Sequence, residues 1–391
     1  MSKKRTTRRK KRRRNKIAIV AIEFAVLALL LVVLYAVNFM NSIRSDGIDK
    51  KDAAINSEIA EDSFFQKGQY TNIALFGLDN RGSGEYGGGN SDSIIIASIN
   101  NETKEVKLVS VYRDTYLSVG KGVFAKVNSA YARGGVKNAV RTLNSNLDLD
   151  IQNYVTVDWG ALVKAIDALG GIDIEISRAE MNKINEYTVE IVMMTGKQTT
   201  KLTKYGKVHL DGTQATSYAR IRKLKGDDYL RSSRQRIVLQ AMLEKAKQAG
   251  VTDLISLVNS IKDDISTSLT VADMTSIASH VADYKIESTT GFPFKLGTKM
   301  MNGEDCVIPA ELANNVTELH QYMFGDDDGD YTVSSTVEDL SRKIVRKTGY
   351  TTKSRYIVDT NKYNNTAGAN STAGAIEQNE RANEESKSTE E

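Results

Sequence analysis

Apolar residues enter this chain first as one unbroken block and then as short, punctuated runs. The block is IAIVAIEFAVLALLLVVLYAVNFM, residues 17–40, whose single charge is Glu23. At ~1.5 Å per helical residue it reaches about 36 Å, against roughly 30 Å for a hydrocarbon core. A cleavable leader would have a shorter core and a small-x-small site after it, and YAVNFMNSIRSDG offers none. The pattern therefore predicts an uncleaved transmembrane helix. Residues 41–69 turn polar and read as a stalk. From Tyr70, TNIALFGLD, SIIIASIN and EVKLVSVY are short apolar runs bounded by glycine or polar residues, the signature of strands. AVRTLNSNL and WGALVKAIDALGG read as helices, and GIDIEI as a strand after a Gly-Gly stop. Further helices are predicted over 252–263, 270–284, 309–323 and 335–346, with Thr270 and Asp273 set as a capping box. Strands alternating with helices predict an α/β layered domain over 70–350. From Thr351 to Glu391 the chain is rich in Asn, Ser, Thr, Ala and Glu without an apolar period, and disorder is expected. No 20–50-residue repeat is visible.

Charge sharpens the picture at the N-terminus. Residues 3–16, KKRTTRRKKRRRNK, hold eleven basic residues and no acid, while the whole chain of 391 residues has a net charge of only +4. The remainder is therefore mildly acidic. A basic block running into a membrane span is a topology signal, which puts residues 1–16 in the cytoplasm and everything after about residue 41 outside. That orientation leaves only sixteen residues to meet DNA, so nucleic acid is not an expected partner. One cysteine, Cys306, excludes an internal disulfide, and three histidines leave little for a zinc site or a serine–histidine triad.

The candidate chemistry is anionic recognition. YARIRKLKGDDYLRSSRQR, Tyr218 to Arg236, carries seven basic residues in nineteen. Arginine forks match phosphate oxygens in pairs, and Arg231, Arg234 and Arg236 open an amphipathic helix whose N-terminus favours anions. A solvated basic face is the alternative reading of the same stretch. Asp79 ends the first strand and Asp92 begins the second, flanking the loop RGSGEYGGGNSDS. Two carboxylates there are candidates for a magnesium ion that keeps its waters and recruits phosphates, or for ordinary turn formation. Arg113 and Asp114 lie just beyond the third strand; parallel strands would gather Asp79, Asp92 and Arg113 at one sheet edge, and a local Arg–Asp surface pair is the alternative. The DDDGD run at 326–330 fails as an EF-hand, since aligning Gly329 puts Phe324 first and Ser335 twelfth. Phosphate-loop and Gly-x-Ser-x-Gly motifs are absent.

In order, NIALFGLDNR, SDSIIIASIN, LVSVYRDTYL, KVNSAYARGG, VDWGALVKAIDALGGIDIEI, HLDGTQATSYARIRK and DYLRSSRQRIVLQAM resemble the LytR–CpsA–Psr family over a motif core of residues 72–243. The basic tail and single span are similar too. Asn80 stands where serine is common, and VYRD replaces the frequent IPRD. The resemblance implies a central, mostly mixed sheet flanked by helices, with a deep apolar pocket. It implies an enzyme of the cell membrane that moves a glycopolymer from undecaprenyl-pyrophosphate to peptidoglycan as a phosphodiester, the polymer being a teichoic acid or a capsular or secondary wall polysaccharide. Carried over by motif, Asp79 and Asp92 would hold magnesium. Arg81, Arg113, Lys126, Arg220, Arg222, Arg231, Arg234 and Gln235 would line the pyrophosphate, with Arg113, Arg220 and Arg222 catalytic and Asp114 a candidate proton acceptor. A pyrophosphatase or a lipid-binding regulator using the same site are the rival readings. A lipid-tail pocket is expected from Leu162, Val163, Ile166, Met193, Val238 and Met242, because the apolar side of the Arg231 helix follows its arginines within one turn, and methionine adapts to irregular ligands.

Overall fold

A computed structural model describes residues 48, 52–79, 89–222, 227–325, 331–354 and 357–360. The expected basic tail, transmembrane helix, Arg81, the DDDGD run and residues 361–391 lie outside the described residues. Among the described residues no helix is long and apolar enough to cross a membrane.

The three apolar runs after Tyr70 form β1 (Tyr70–Leu78), β2 (Ser91–Asn100) and β3 (Glu105–Val111). A short hairpin follows, β4 (Tyr116–Ser118) with β5 (Phe124–Lys126). Then come β6 (Asn153–Asp158), the hairpin of β7 (Ile172–Ile176) with β8 (Gly206–Leu210), β9 (Ile265–Thr267) and β10 (Lys285–Phe292). The central sheet has the order β10-β3-β2-β1-β6-β9 and is mixed, with β1–β6 and β10–β3 parallel and the other neighbours antiparallel. GIDIEI is a strand as read, but it pairs with β8 outside this sheet. Gly170 and Gly171, at φ +77° and +85°, end the preceding helix in the left-handed region that glycine enters without steric cost.

Alternate residues of each strand face opposite sides. On one side Phe76, Leu78, Ile94, Ile96, Val109 and Val111, all 3% exposed or less, join one cluster with the Ser129–Leu147, Leu312–Phe324 and Ser335–Thr348 helices. On the other, Leu75, Ile95 and Val155 share one row across three strands, and Gly77, Ser93 and Val157 the next. The Trp159–Ala168 and Asp227–Gln248 helices cover these rows.

Two stretches differ from expectation. The stalk region holds helices Ser57–Glu61 and Ser63–Gln66, because Ile59 and Phe64 are apolar enough to bury, Phe64 within the main cluster. The region expected to be disordered contains β13 (Val358–Asp359), which pairs with β11 (Lys295–Met301) beside β12 (Glu304–Pro309). There Thr360 donates its N–H to Phe294 O at 2.7 Å, so the sheet supplies partners that the local composition does not advertise.

Candidate active site

The antiparallel pairing of β1 and β2 is what brings the two candidate carboxylates together. Asp79 follows the last residue of β1, and Asp92 stands at the start of β2, where Leu78 pairs with Ser91. The expectation of parallel strands is corrected in the mechanism, while the meeting of Asp79, Asp92 and Arg113 at one edge is as read. Arg113, two residues past β3, donates Nη1–H to Asp92 Oδ1 at 2.5 Å, and Arg222 donates Nη2–H to Asp92 Oδ2 at 3.1 Å.

Three helix starts build the rest. Asp158 ends β6 and caps the Trp159–Ala168 helix through Ala161 N at 2.7 Å, which fixes Trp159 at the site. Burial pushes the Asp158 carboxyl above the usual range. Asp211 and Gln214 form a capping box on the Gly212–Arg220 helix, which delivers Arg220 at its last residue. A second box, Ser177 with Glu180, starts the Arg178–Thr195 helix. Glu190 of that helix accepts Arg220 Nη2–H at 3.1 Å, and Arg220 stacks over Trp159 at 5.4 Å.

Together these enclose a polar pocket of about 430 Å³, lined by Asp79, Asp92, Trp159, Glu186, Tyr187, Glu190, Arg220, Arg222, Arg231 and Gln235. An apolar cavity of about 200 Å³ adjoins it between sheet and helices, with Leu75, Val155, Leu162, Val238 and Met242 in its wall. Trp159 and Gln235 line both. Buried polar atoms on the pocket without a hydrogen-bond partner among the described residues include Asp79 Oδ1, Trp159 Nε1, Arg220 Nη1 and Gln235 Nε2. Buried polar atoms are nearly always paired, so one acceptor and three donors at one pocket describe a ligand's complement. No cluster of three or more His, Cys, Asp or Glu side chains suited to a metal occurs among the described residues.

Several expected residues stand elsewhere. Arg234 is buried against Glu180, with Nε to Oε1 at 2.9 Å and Tyr218 beneath it, so it braces the helix start and does not line the pocket. Glu180 Oε2 meanwhile accepts from Ser177 N, which uses both carboxylate oxygens. Lys126 pairs with Asp114 at 3.0 Å, Arg113 Nε lies 3.6 Å from the same carboxylate, and neither Lys126 nor Asp114 lines the pocket. Asp114 is thus a clamp on Arg113 and Lys126 rather than a free proton acceptor. Among the expected tail residues, Leu162, Val238 and Met242 line the apolar cavity. Val163 and Ile166 are fully buried on the far side of their helix, where Gly212 packs onto the Val163 carbonyl so closely that a Cβ would sit 2.2 Å from it. Met193 points outward, 79% exposed. Trp159, Glu186, Tyr187 and Glu190 were not anticipated; the i, i+4 spacing of Glu186 and Glu190 was the available signal, and it has no meaning until Arg220 is placed beside it.

The model of the LytR_cpsA_psr family matches residues 35–321. "Polyisoprenyl-teichoic acid--peptidoglycan teichoic acid transferase TagU" of Bacillus anthracis is 32% identical over 292 residues, 74% of this chain and 82% of that protein. The protein of the same name from Enterococcus faecalis is 32% identical over 209 residues, which is 53% of this chain and 64% of the relative. Among solved structures, the LytR-CPS2A-psr family protein YwtF (TagT) of Bacillus subtilis with bound octaprenyl pyrophosphate lipid aligns with a TM-score of 0.50 at 21% identity, covering 66% of this chain and 90% of that one. By the extent of the family match and the likeness to the Bacillus anthracis relative, this chain is a member of the LytR–CpsA–Psr family.

Proposed function

We propose that this chain is a membrane-anchored phosphotransferase that moves an anionic glycopolymer, a teichoic acid in the first instance, from a polyprenyl-pyrophosphate carrier to peptidoglycan. The carrying observation is the pair of adjoining spaces. An arginine-lined polar pocket and an apolar cavity share Trp159 and Gln235, which suits a ligand with a charged head and a hydrocarbon tail. The names of the relatives and the lipid in the Bacillus subtilis structure support the same reading.

In the reaction, a sugar hydroxyl of peptidoglycan attacks the phosphorus that bears the glycopolymer. The new P–O bond forms as the bridging P–O–P bond breaks, prenyl monophosphate leaves, and the hydroxyl proton passes to a carboxylate on the pocket. Arg220, Arg222 and Arg231 hold the phosphate oxygens, and neutralising those oxygens in line is most of what phosphoryl transfer requires. Arg113 acts through Asp92, whose carboxylate it shares with Arg222. Magnesium fits the donor set: Asp79 has a buried oxygen without a partner among the described residues, and Asp92 faces the same space. Two carboxylates plus substrate phosphates are the usual holders of that ion, and when bound it would neutralise charge on the pyrophosphate. Residues 17–40 would anchor the enzyme, with the basic tail inside and the catalytic domain outside.

Incubation of the full chain with lipid-linked polymer and peptidoglycan tests the proposal. Polymer attached covalently to the wall, with equimolar prenyl monophosphate, is the expected result. Polymer phosphate released into solution at the same rate with and without peptidoglycan would make the chain a pyrophosphatase, and carrier bound but unchanged would make it a lipid-binding module.

A further inference from the structure

Val189 and Met193, on the outward face of the Arg178–Thr195 helix, have no role in the chemistry above. Its exposed stripe runs Asn182, Glu186, Val189, Met193, one residue every three or four. Val189 is 53% and Met193 79% exposed, and Tyr205, in the segment that follows, is 59% exposed. Four large apolar side chains are more than half exposed among the described residues, and three of them fall between 189 and 205. Scattered single apolar residues need no explanation, but a concentration does.

Residues 196–207, GKQTTKLTKYGK, contain four lysines and no acid. This segment is fixed beside the helix: Asn185 Nδ2 donates to Leu202 O at 2.9 Å, Leu202 N donates to Asn185 Oδ1 at 2.8 Å, and Gln214 Nε2 donates to Thr200 O at 2.9 Å. Lys197 lies 3.5 Å from Asp167, whereas Lys201 and Lys204 are exposed. The acids of the neighbouring helix are engaged, Glu186 with Lys183 and Glu190 with Arg220. Apolar side chains rimmed by lysine are the composition of elements that lie in a lipid interface.

The entry of the chain points the same way. Asn56 reaches Ser145 O near the end of the Ser129–Leu147 helix, and Asp52 pairs with Lys137 nearer its start. That start is at the site edge, where Asn128 N donates to Arg113 O and Ser91 N to Asn128 O. Asp52 is therefore held nearer the site end of the sheet than Asn56 is. Residue 40, the last of the apolar block, lies eight residues before Ile48, a reach of at most about 28 Å.

We infer that the Val189–Met193 stripe, Tyr205 and the lysines beside them form a docking face for an anionic lipid surface, holding the mouth of the polar pocket at the level of the headgroups. Glu186, on the same stripe, lines that pocket, so the docking face and the mouth adjoin. The inference rests on the anchored reading above and adds to it an orientation and a lipid preference.

The full chain in phosphatidylglycerol-containing nanodiscs tests this, with a fluorophore on Met193→Cys or, as the exposed control on the separate β12-β11-β13 sheet, on Met300→Cys. Nitroxide-headgroup lipid should quench the Met193 probe severalfold more than the Met300 probe. Quenching should fall at high salt, in phosphatidylcholine discs, and in Lys201→Glu/Lys204→Glu, where two charge reversals should disfavour the docked state by more than roughly tenfold. Equal quenching at both positions would overturn the inference while leaving the anchor intact. So would a Met193 probe that is shielded by cross-linking to a second copy without lipid quenching. A chain that fails to enter the nanodisc would overturn both the docking face and the anchored reading.

Discussion

The two faces of the central sheet are made by the same strands and differ by one residue in register. One face carries Phe76 beside Ile94 and is packed solid. The other carries Gly77 beside Ser93 at the same level, so close that a Cβ on Gly77 would sit 2.9 Å from that of Ser93. Small side chains there, two residues from Asp79 and one from Asp92, leave the space that the Trp159–Ala168 and Asp227–Gln248 helices roof without filling. The comparison separates the residues that make the fold from those that make the site, although both sets are apolar and both alternate.

The largest expected effect is on the filled face. Phe76→Ala should cost about 3–5 kcal/mol of stability, read by denaturant unfolding, because a cavity opens in a close-packed core. Leu75→Ala, on a wall already facing a cavity, should cost markedly less while weakening carrier binding. Equal losses of stability would erase the distinction between the faces.

Next come two arginines of one basic stretch. Arg220→Ala should lower the transfer rate by about 10²–10³-fold, the loss expected for one donor aimed at developing charge, with little change in unfolding. A lysine there should also fail, because the planar fork is lost. Arg234→Ala should instead destabilise by about 3–5 kcal/mol, since it leaves the Glu180 carboxylate buried without its partner. Activity measured per folded molecule would then remain in Arg234→Ala and be lost in Arg220→Ala.

Met242→Trp should fill the apolar cavity and weaken binding of a prenyl pyrophosphate by about tenfold, roughly 1.4 kcal/mol. Inorganic pyrophosphate should bind unchanged, and an equal loss for both ligands would mean that the cavity is not used by the tail.

The smallest effect concerns the closure of the filled face. Glu58 accepts hydrogen bonds from Ser335 N and Oγ at the start of the Ser335–Thr348 helix, and these lower its carboxyl to about 2. A lowered carboxyl stabilises above its ordinary value near 4.5, and this contribution is lost as pH falls through about 2. The side chain is solvent-exposed, so the slope should be slight. Melting temperature against pH should flatten between about 4.5 and 2 in Glu58→Gln.

Much of this architecture was legible in the sequence because it is local. Short punctuated apolar runs marked β1, β2 and β3, glycine pairs and capping residues marked helix ends, and the spaced motifs pointed to Asp79, Asp92, Arg220 and Arg222. What escaped depends on distant partners. Arg231 and Arg234 look alike three residues apart, yet one lines the pocket and the other is drawn to Glu180, 54 positions away. Met193 reads like Met242 in composition, but helical phase puts it in line with exposed Val189. Val163 and Leu162 are neighbours in sequence that face different sides of one helix, and which side faced a cavity was fixed only when Gly212 closed on the other.

The central claim is that one ligand occupies both the polar pocket and the apolar cavity. Calorimetric titration of the full chain with pyrophosphates of increasing prenyl length tests it most directly. Affinity should rise with the first isoprene units, by up to about 0.8 kcal/mol for each methylene buried, and then level off once the cavity is filled. An affinity for inorganic pyrophosphate equal to that for every prenyl pyrophosphate would contradict it.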